Sequence, residues 1–376
     1  MSDAEVLVVG AGPAGATAAF HLARRGRRVT LLEARQGGEA GKPCGGGMAS
    51  SVQRWFPFDL RPAVDGVIRR VRFTWCLDDP VTAELPGEAP FWIVRRAVLD
   101  AFLRERAVEA GARLMAGHRV EEVRRSGRLW QLRLADGALV ESAALVIADG
   151  SGSPFASALG LGPPRPRFAE TVSVEVQAEV ECAATACFEF GLVHHGFCWC
   201  FPRLGGYSIG VGTFVGRQAA DADAVLAQLL PSLGLDPAAG VRRAGRLRLW
   251  NGHHRLDGDG VVVAGDAASL CDPFLAEGLR PSLMSGHHAG EALDRWLAGE
   301  AGALAGYSRT MRRDWGESMA WGRRIAQVFY RLPRVGYQLG IKRPTAPQRI
   351  AQILSGEMGY GDIAQRAIRR LTLRQG

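Results

Sequence analysis

The chain has 376 residues, 47% of them hydrophobic and 22% charged, which excludes a disordered or fibrous protein and allows a large core without staples. Its net charge of +8 is uneven: Ala303 to Gly376 holds 14 Lys+Arg against 4 Asp+Glu, while the remainder carries 32 basic and 34 acidic residues. No window offers eighteen apolar residues free of charge, so no membrane-spanning helix is expected.

The first elements form one unit. Asp3 and Glu5 run straight into the apolar stretch Val6 to Val9, with no signal-peptide pattern. Gly10-Ala-Gly12-Pro-Ala-Gly15 follows, then a helical stretch Ala16 to Arg25 and a second strand, Val29 to Glu33. Glycine fingerprint, strand, helix and terminal acid together predict a dinucleotide-binding βαβ unit. In it Gly10 permits a tight turn, Gly12 admits a pyrophosphate, Gly15 lets helix pack on strand, and Glu33 accepts from a ribose.

Nine residues beyond Glu33 comes Lys42-Pro43-Cys44-Gly45-Gly46-Gly47, poor material for helix or strand. It reads as a loop that brings a thiol to the nucleotide site. Arg95 and Arg96 precede a helix over Val98 to Gly111. Alternation from Val120 to Val146, turning at Gly127 and Asp136-Gly137, predicts a β-meander. The run Ala144 to Ala148 ends in Asp149-Gly150, and a further core strand, Gly260 to Ala264, ends in Gly265-Asp266. The nucleotide domain is therefore interrupted, and the insertion from about Phe168 to Trp250 reads as a sheet domain covering the ligand.

Within that insertion lies Phe197-Cys198-Trp199-Cys200-Phe201-Pro202. Strand alternation puts Phe197, Trp199 and Phe201 on one face, as a wall for an apolar guest or as plain core, and Cys198 and Cys200 on the other. After Asp266 comes Ala267 to Gly278, then a helix, Leu279 to Leu293. From Tyr307 the pattern is helical and basic, broken by Pro333, Pro344 and Pro347. That end is either a solvated face or an attraction to an anionic membrane surface or phosphorylated substrate. No recognition module accompanies it, which argues against nucleic acid.

Seven Cys (44, 76, 182, 187, 198, 200, 271) with no C-x-x-C spacing point to a reducing cytosol rather than a disulfide framework. The pairs His194-His195, His253-His254 and His287-His288 lack metal-site spacing, because neighbours in sequence face apart, and no metal is expected. His195 remains a possible polar contact beside the aromatic strand.

Taken together these motifs resemble the FAD-dependent oxidoreductases of the hydroxybenzoate-hydroxylase type of fold, and within them the geranylgeranyl reductase family, over nearly the whole length. The resemblance implies an α/β fold: a discontinuous Rossmann-like FAD-binding domain (1–70, 95–165 and 255–300), an inserted β-sheet substrate domain (71–94 and 166–254) and a basic helical region (301–376). It implies that Gly10, Gly12, Gly15 and Glu33 hold the ADP half of FAD. Arg96 resembles the arginine at the flavin-side phosphates, Asp149 the acid near the pyrophosphate, and Asp266 the acid that accepts from the ribityl chain. Pro273 to Gly278 is similar to the family's P-x-x-G-E-G loop over the flavin, with Ala276 in place of the usual Gly. The helix opening at Leu279 then offers its positive end to the reduced flavin.

The aromatic strand resembles the family's Y-x-W-x-F-P segment, with Phe197 for Tyr, and the opening loop its P-C-G-G-G segment. They imply Cys44 and Trp199 as catalytic residues, and Lys42, Gly45, Phe197, Phe201 and Pro202 as substrate contacts. The activity implied is saturation of a prenyl double bond, by hydride from flavin and a proton from Cys44, unless Cys44 serves as a gate or sits in a purely structural loop. No second fingerprint appears, so no separate NAD(P)H fold is expected, and the electron donor is NAD(P)H docking transiently or another reduced carrier. The substrates implied are prenylated lipids, pigments, quinones or diphosphates, handled in the cytoplasm or at a membrane's inner face. The rival activities on the same fold are a flavin monooxygenase or halogenase, and a non-redox cyclisation.

Overall fold

A computed structural model describes residues 4–36, 42–88, 90–214, 221–238, 240–363 and 365. Val6–Val9, apolar and buried throughout, sits at the middle of a six-stranded sheet. It pairs in parallel with Ala144–Ile147 on one side and Val29–Glu33 on the other. Val261–Val263 and Arg113–Ala116 extend the sheet in parallel, and Asp257–Gly258 closes one edge antiparallel. Continuous Val/Leu/Ile runs are what strands covered on both faces require. The strands come from four separate stretches of chain, so this layer is discontinuous, as the sequence implied.

Helices Pro13–Arg24 and Leu279–Leu297 lie against one another on this sheet. Their contact is close because two residues lack side chains. A methyl on Gly286 would sit 2.3 Å from the Ala14 carbonyl oxygen, and one on Gly290 would sit 2.9 Å from the His21 Cβ. The pairing matters for function because both helices begin at the same cavity. Arg96–Glu109 is a third helix, starting at Arg96 itself rather than at Val98.

The insertion forms a seven-stranded, mostly antiparallel sheet. Its order is Val241–Leu249, Arg167–Gln177, Gly206–Thr213, Gly196–Arg203, Thr185–Phe190, Arg70–Trp75 and Asp78–Glu84. Thr185–Phe190 and Arg70–Trp75 run parallel. The meander is present as Val120–Ser126, Leu129–Leu134 and Leu139–Ser142. One division differs from the expected one. Gly47–Ala49 and Gly66–Ile68 pair on either side of Phe91–Ile93 in a small sheet of their own. The cysteine loop thus leads directly into a strand.

The basic C-terminal region is not simply a solvated face. Ala303–Met311 and Glu317–Arg331 are joined through a wide π turn, and Ala346–Leu354 is the last helix described. Four tyrosines pin the region down, each fully buried. Tyr307 donates to the Val263 carbonyl at 2.8 Å, Tyr330 to the Phe274 carbonyl at 2.8 Å and Tyr337 to the Asp79 carbonyl at 2.6 Å. Tyr360 donates to Asp272 Oδ2 at 2.6 Å. Among the described residues no helix is long and apolar enough to cross a membrane.

Candidate active site

The glycine fingerprint makes a cradle whose three glycines do different work. Gly10 has φ +95°, and a methyl there would come 2.5 Å from the Ala148 carbonyl oxygen. A methyl on Gly15 would sit 1.8 Å from the Gly10 carbonyl oxygen, so only glycine lets this helix turn lie on the strand. Above Gly12 a methyl would meet nothing within 4 Å. That open space faces a helix start with no side-chain cap and no acid in its first turn, leaving the first N–H groups and the positive dipole end for an anion. Glu33 accepts the N–H of Ala11 at 3.0 Å and of Arg35 at 3.1 Å, which fixes its carboxylate at the far edge of the cradle. Pyrophosphate over Gly12 and ribose at Glu33 fit these residues.

A cavity opens from Gly12. Its polar wall includes Lys42, Arg96 and Asp266, and its apolar wall Phe197, Trp199, Phe201 and Phe214. Burial pushes the Asp266 carboxyl up, against the pull of Lys42, Arg96 and Arg248. Such a carboxyl needs a hydrogen-bond partner in the cavity, and a ribityl hydroxyl is of the right kind. Burial likewise raises Asp149, which Ser153, Arg248 and Lys42 oppose. Asp149 itself is not a wall residue; its neighbours Ala148 and Gly150 are. Arg96 holds Asp100 in a fork, Nε to Oδ1 at 3.0 Å and Nη2 to Oδ2 at 2.9 Å, so only Nη1 lies outside that pair.

The cysteine loop lies against the aromatic strand. Cys44 is half-buried, and its Sγ accepts the Gly46 N–H at 3.3 Å. Gly46 has φ +80°, and a methyl there would press to 2.0 Å from the Val94 carbonyl oxygen, so the turn requires glycine. The Cys44 carbonyl accepts from Arg203 Nη2 at 2.9 Å and from Ser208 Oγ at 3.4 Å. Arg203 is also ion-paired with Glu175. Arg203 and Ser208 are therefore positioning residues that local pattern does not announce; they meet Cys44 only because strands Gly196–Arg203 and Gly206–Thr213 are paired beneath the loop.

Phe197, Trp199 and Phe201 all face the cavity, and the Trp199 indole lies over Gly210, where a methyl would sit 2.1 Å from the ring. Cys198 and Cys200 face the opposite way into a satellite core with Ile209, Val211 and Leu226, where burial pushes both thiols far up. Pro202, expected at the substrate, is not a wall residue, because the alternation that turns Phe201 in turns Pro202 away.

The last wall is the loop after Asp266. Asp272 Oδ1 accepts the N–H of Phe274 at 2.7 Å and of Leu275 at 3.1 Å. Pro273 is buried in this turn and does not line the cavity, whereas Leu275, Ala276, Glu277 and Gly278 do. Ala276 adopts φ +56°, the left-handed conformation that the family's glycine would take without strain. The helix that follows starts at the cavity with an uncapped N-terminus and no acid in its first turn.

Glu277 is the residue sequence reasoning passed over, although it stands in the P-x-x-G-E-G pattern. Its Oε2 pairs with Arg280 at 2.7 Å while Oε1 is buried without a partner. Burial, reinforced by Asp272, pushes its carboxyl up to about 7 against the pull of Arg280. Arg248 was also unforeseen: it donates to the Ser151 carbonyl at 2.7 Å and the Ala267 carbonyl at 3.3 Å, tying the inserted sheet to both nucleotide-side loops.

The histidines depart from expectation in one place. His287 Nε2 and His288 Nδ1 both come to 3.4 Å from Glu291 Oε2, because residues three and four apart share a helix face with their common partner. His287 also meets buried His21 at 3.2 Å. These donor atoms form the one group with metal-ligand spacing among the described residues. His195 contacts the Tyr330 carbonyl at 2.7 Å and is not a wall residue.

Comparison with known proteins agrees with this geometry. The family model described as FAD dependent oxidoreductase matches residues 5–159. A menaquinone reductase of Mycolicibacterium smegmatis is 30% identical over 88% of this chain and 85% of its own length. A geranylgeranyl bacteriochlorophyll reductase-like protein from Thermoplasma acidophilum shares the fold at TM-score 0.77 and 19% identity, covering 94% of this chain and 91% of that one. A flavin-dependent brominase superposes at TM-score 0.73 and 20% identity, over 99% of each chain. By its motifs, its cradle and a relative 30% identical over most of both chains, the chain belongs to the FAD-dependent oxidoreductases.

Proposed function

We propose that this chain is an FAD-dependent reductase that saturates a carbon–carbon double bond in the prenyl chain of a lipophilic molecule, with a prenylated quinone as the substrate class. The observation that carries the reading is the joining of two walls in one cavity: the glycine cradle with its two helix starts, and a sheet face of Phe197, Trp199 and Phe201. Aromatic faces with few polar groups suit a long apolar chain. The relative's name, menaquinone reductase, supports a quinone head on that chain.

FAD, when bound, supplies the hydride. The residues do the rest. Gly10, Gly12, Gly15 and Glu33 hold the adenosine and pyrophosphate end, and Asp266 accepts from the ribityl chain. The uncapped helix start at Leu279 favours negative charge on the reduced ring. Trp199 and its neighbours orient the alkene and exclude water. Cys44 gives the proton to the second carbon, held in reach by Arg203 and Ser208 through its own carbonyl. Glu277 titrates in the same cavity and sets the pH range of the reaction. The electron donor is NAD(P)H or another reduced carrier that docks transiently.

The test is mass spectrometry of a prenylated quinone incubated with the chemically reduced enzyme. Addition of two hydrogens to the prenyl chain is expected. Addition of oxygen or halogen would move the chain to the chemistry of its brominase-like fold neighbours. An unchanged mass with a rearranged skeleton would mean a non-redox role.

A further inference from the structure

Four aliphatic side chains stand out on the surface within twelve residues: Val328 is 71% exposed, Leu332 61%, Val335 49% and Leu339 55%. They run from the end of helix Glu317–Arg331 through the turns Pro333–Gly336 and Tyr337–Ile341. The row crosses a break in the helix, since Leu332 with φ −131° and ψ +65° ends it and Pro333 opens the next turn. The segment is firmly seated, since Phe329, Tyr330 and Tyr337 between them, and Ile341 just beyond, are buried. An apolar row held outward on a fixed scaffold calls for an occupant.

The charge around it names one. From Ser318 to Gly356 there are seven Lys or Arg and no Asp or Glu. Arg324, Arg331, Arg334, Lys342 and Arg343 are exposed there. Only Lys342 of these has a carboxylate within ion-pair distance among the described residues, Asp79 at 2.5 Å. Aliphatic side chains flanked by unpaired arginines match the boundary of an anionic lipid bilayer, where the row enters the acyl region and the cations meet headgroups. A second copy of the chain fits poorly, because a two-fold interface would set this basic face against itself.

We propose that Val328, Leu332, Val335 and Leu339, with Arg331, Arg334 and Arg343, form the face by which the protein docks on an anionic membrane surface. The inner side of the same segment reaches the active site. Phe329 meets Phe190 and Phe274 edge-on, each at 5.3 Å, and Tyr330 lies 6.1 Å from the cavity residue Phe214. Docking there would set the aromatic wall beside the bilayer, a placement that deepens the proposed function; the docking itself rests only on the surface.

Vesicle flotation with the FAD-loaded protein tests it, using phosphatidylcholine alone and phosphatidylcholine with phosphatidylglycerol. The protein is expected to float with the anionic vesicles and to release at high salt. Val328→Ser/Leu332→Ser/Val335→Ser/Leu339→Ser should lower the bound fraction by roughly tenfold or more, and Arg331→Glu/Arg334→Glu/Arg343→Glu should abolish the preference for anionic lipid. Both variants should keep the flavin absorption and melting temperature of the parent, which separates lost docking from lost folding. The proposal is overturned if the parent ignores both vesicles, if the serine variant floats like the parent, or if the row instead closes a dimer that the serine variant dissociates. No substrate is turned over, so this result stands apart from that of the reaction test.

Discussion

Two loops wall the same cavity and are held in different ways. Lys42 to Gly47 is rich in glycine and rests on the inserted sheet, with its carbonyls gripped by Arg203 and Ser208. Asp272 to Gly278 folds around its own carboxylate and is tied down by the C-terminal region, through Tyr360 on Asp272, Tyr330 on the Phe274 carbonyl and Trp315 on the Leu270 carbonyl. The first presents a half-buried thiol and the second a buried carboxyl that titrates near neutrality. The difference separates two places for acid chemistry in one cavity: Cys44 on the loop against the aromatic wall, and Glu277 on the loop that the C-terminal region holds.

The comparison breaks most sharply at Cys44. Cys44→Ala should retain FAD and its absorption but lose roughly 10²- to 10⁴-fold in double-bond reduction, the usual worth of a positioned acid. Parent-like turnover would leave the cysteine loop as a mere cover. A smaller effect is expected from the second loop. With a carboxyl raised to about 7, Glu277 carries its proton below that pH and loses it above. Turnover should therefore fall as pH rises through about 7, and Glu277→Gln, which cannot ionise, should flatten that limb of the profile. An unchanged profile would remove Glu277 from the reaction.

Much of the first loop's setting was legible, and less of the second's. The fingerprint Gly10 to Gly15 is local: Gly10 and Gly15 answer to contacts on an adjacent strand or a few residues away, and Gly12 to the open space above it. Alternation in Phe197 to Phe201 is also local, and it assigned the faces because strands have period two. Arg203, Ser208 and Arg248 act through strand register and domain packing, which no spacing in the chain reveals. Glu277 had a motif behind it but lacked the sign that marks it, since its carboxyl is raised by burial that the fold supplies, with Asp272 adding to it. The spacing at His287 and His288 was not legible from the pair itself, because it arises through Glu291 one turn further along the helix. The tyrosines that pin the basic end are far apart in sequence, and nothing in its charge pattern foretold that one face would be buried.

The smallest expected effect bears on how taut the second loop is. Ala276 holds a left-handed conformation that costs an alanine about 1 kcal/mol relative to glycine. Ala276→Gly should raise thermal stability slightly, with the gain reduced by the extra freedom of glycine in the unfolded chain. A loss of stability would show that the Ala276 methyl contributes packing that outweighs its strain.

The central claim is that one cavity brings a reducing cofactor and an apolar prenyl chain together. It is tested most directly by incubating the dithionite-reduced, FAD-loaded enzyme with a prenylated quinone and weighing the product. The account predicts gain of two hydrogens located in the prenyl tail by fragmentation, abolished with Trp199→Ala while FAD stays bound. Gain of hydrogens on the quinone ring alone, or of oxygen or halogen anywhere, would contradict it.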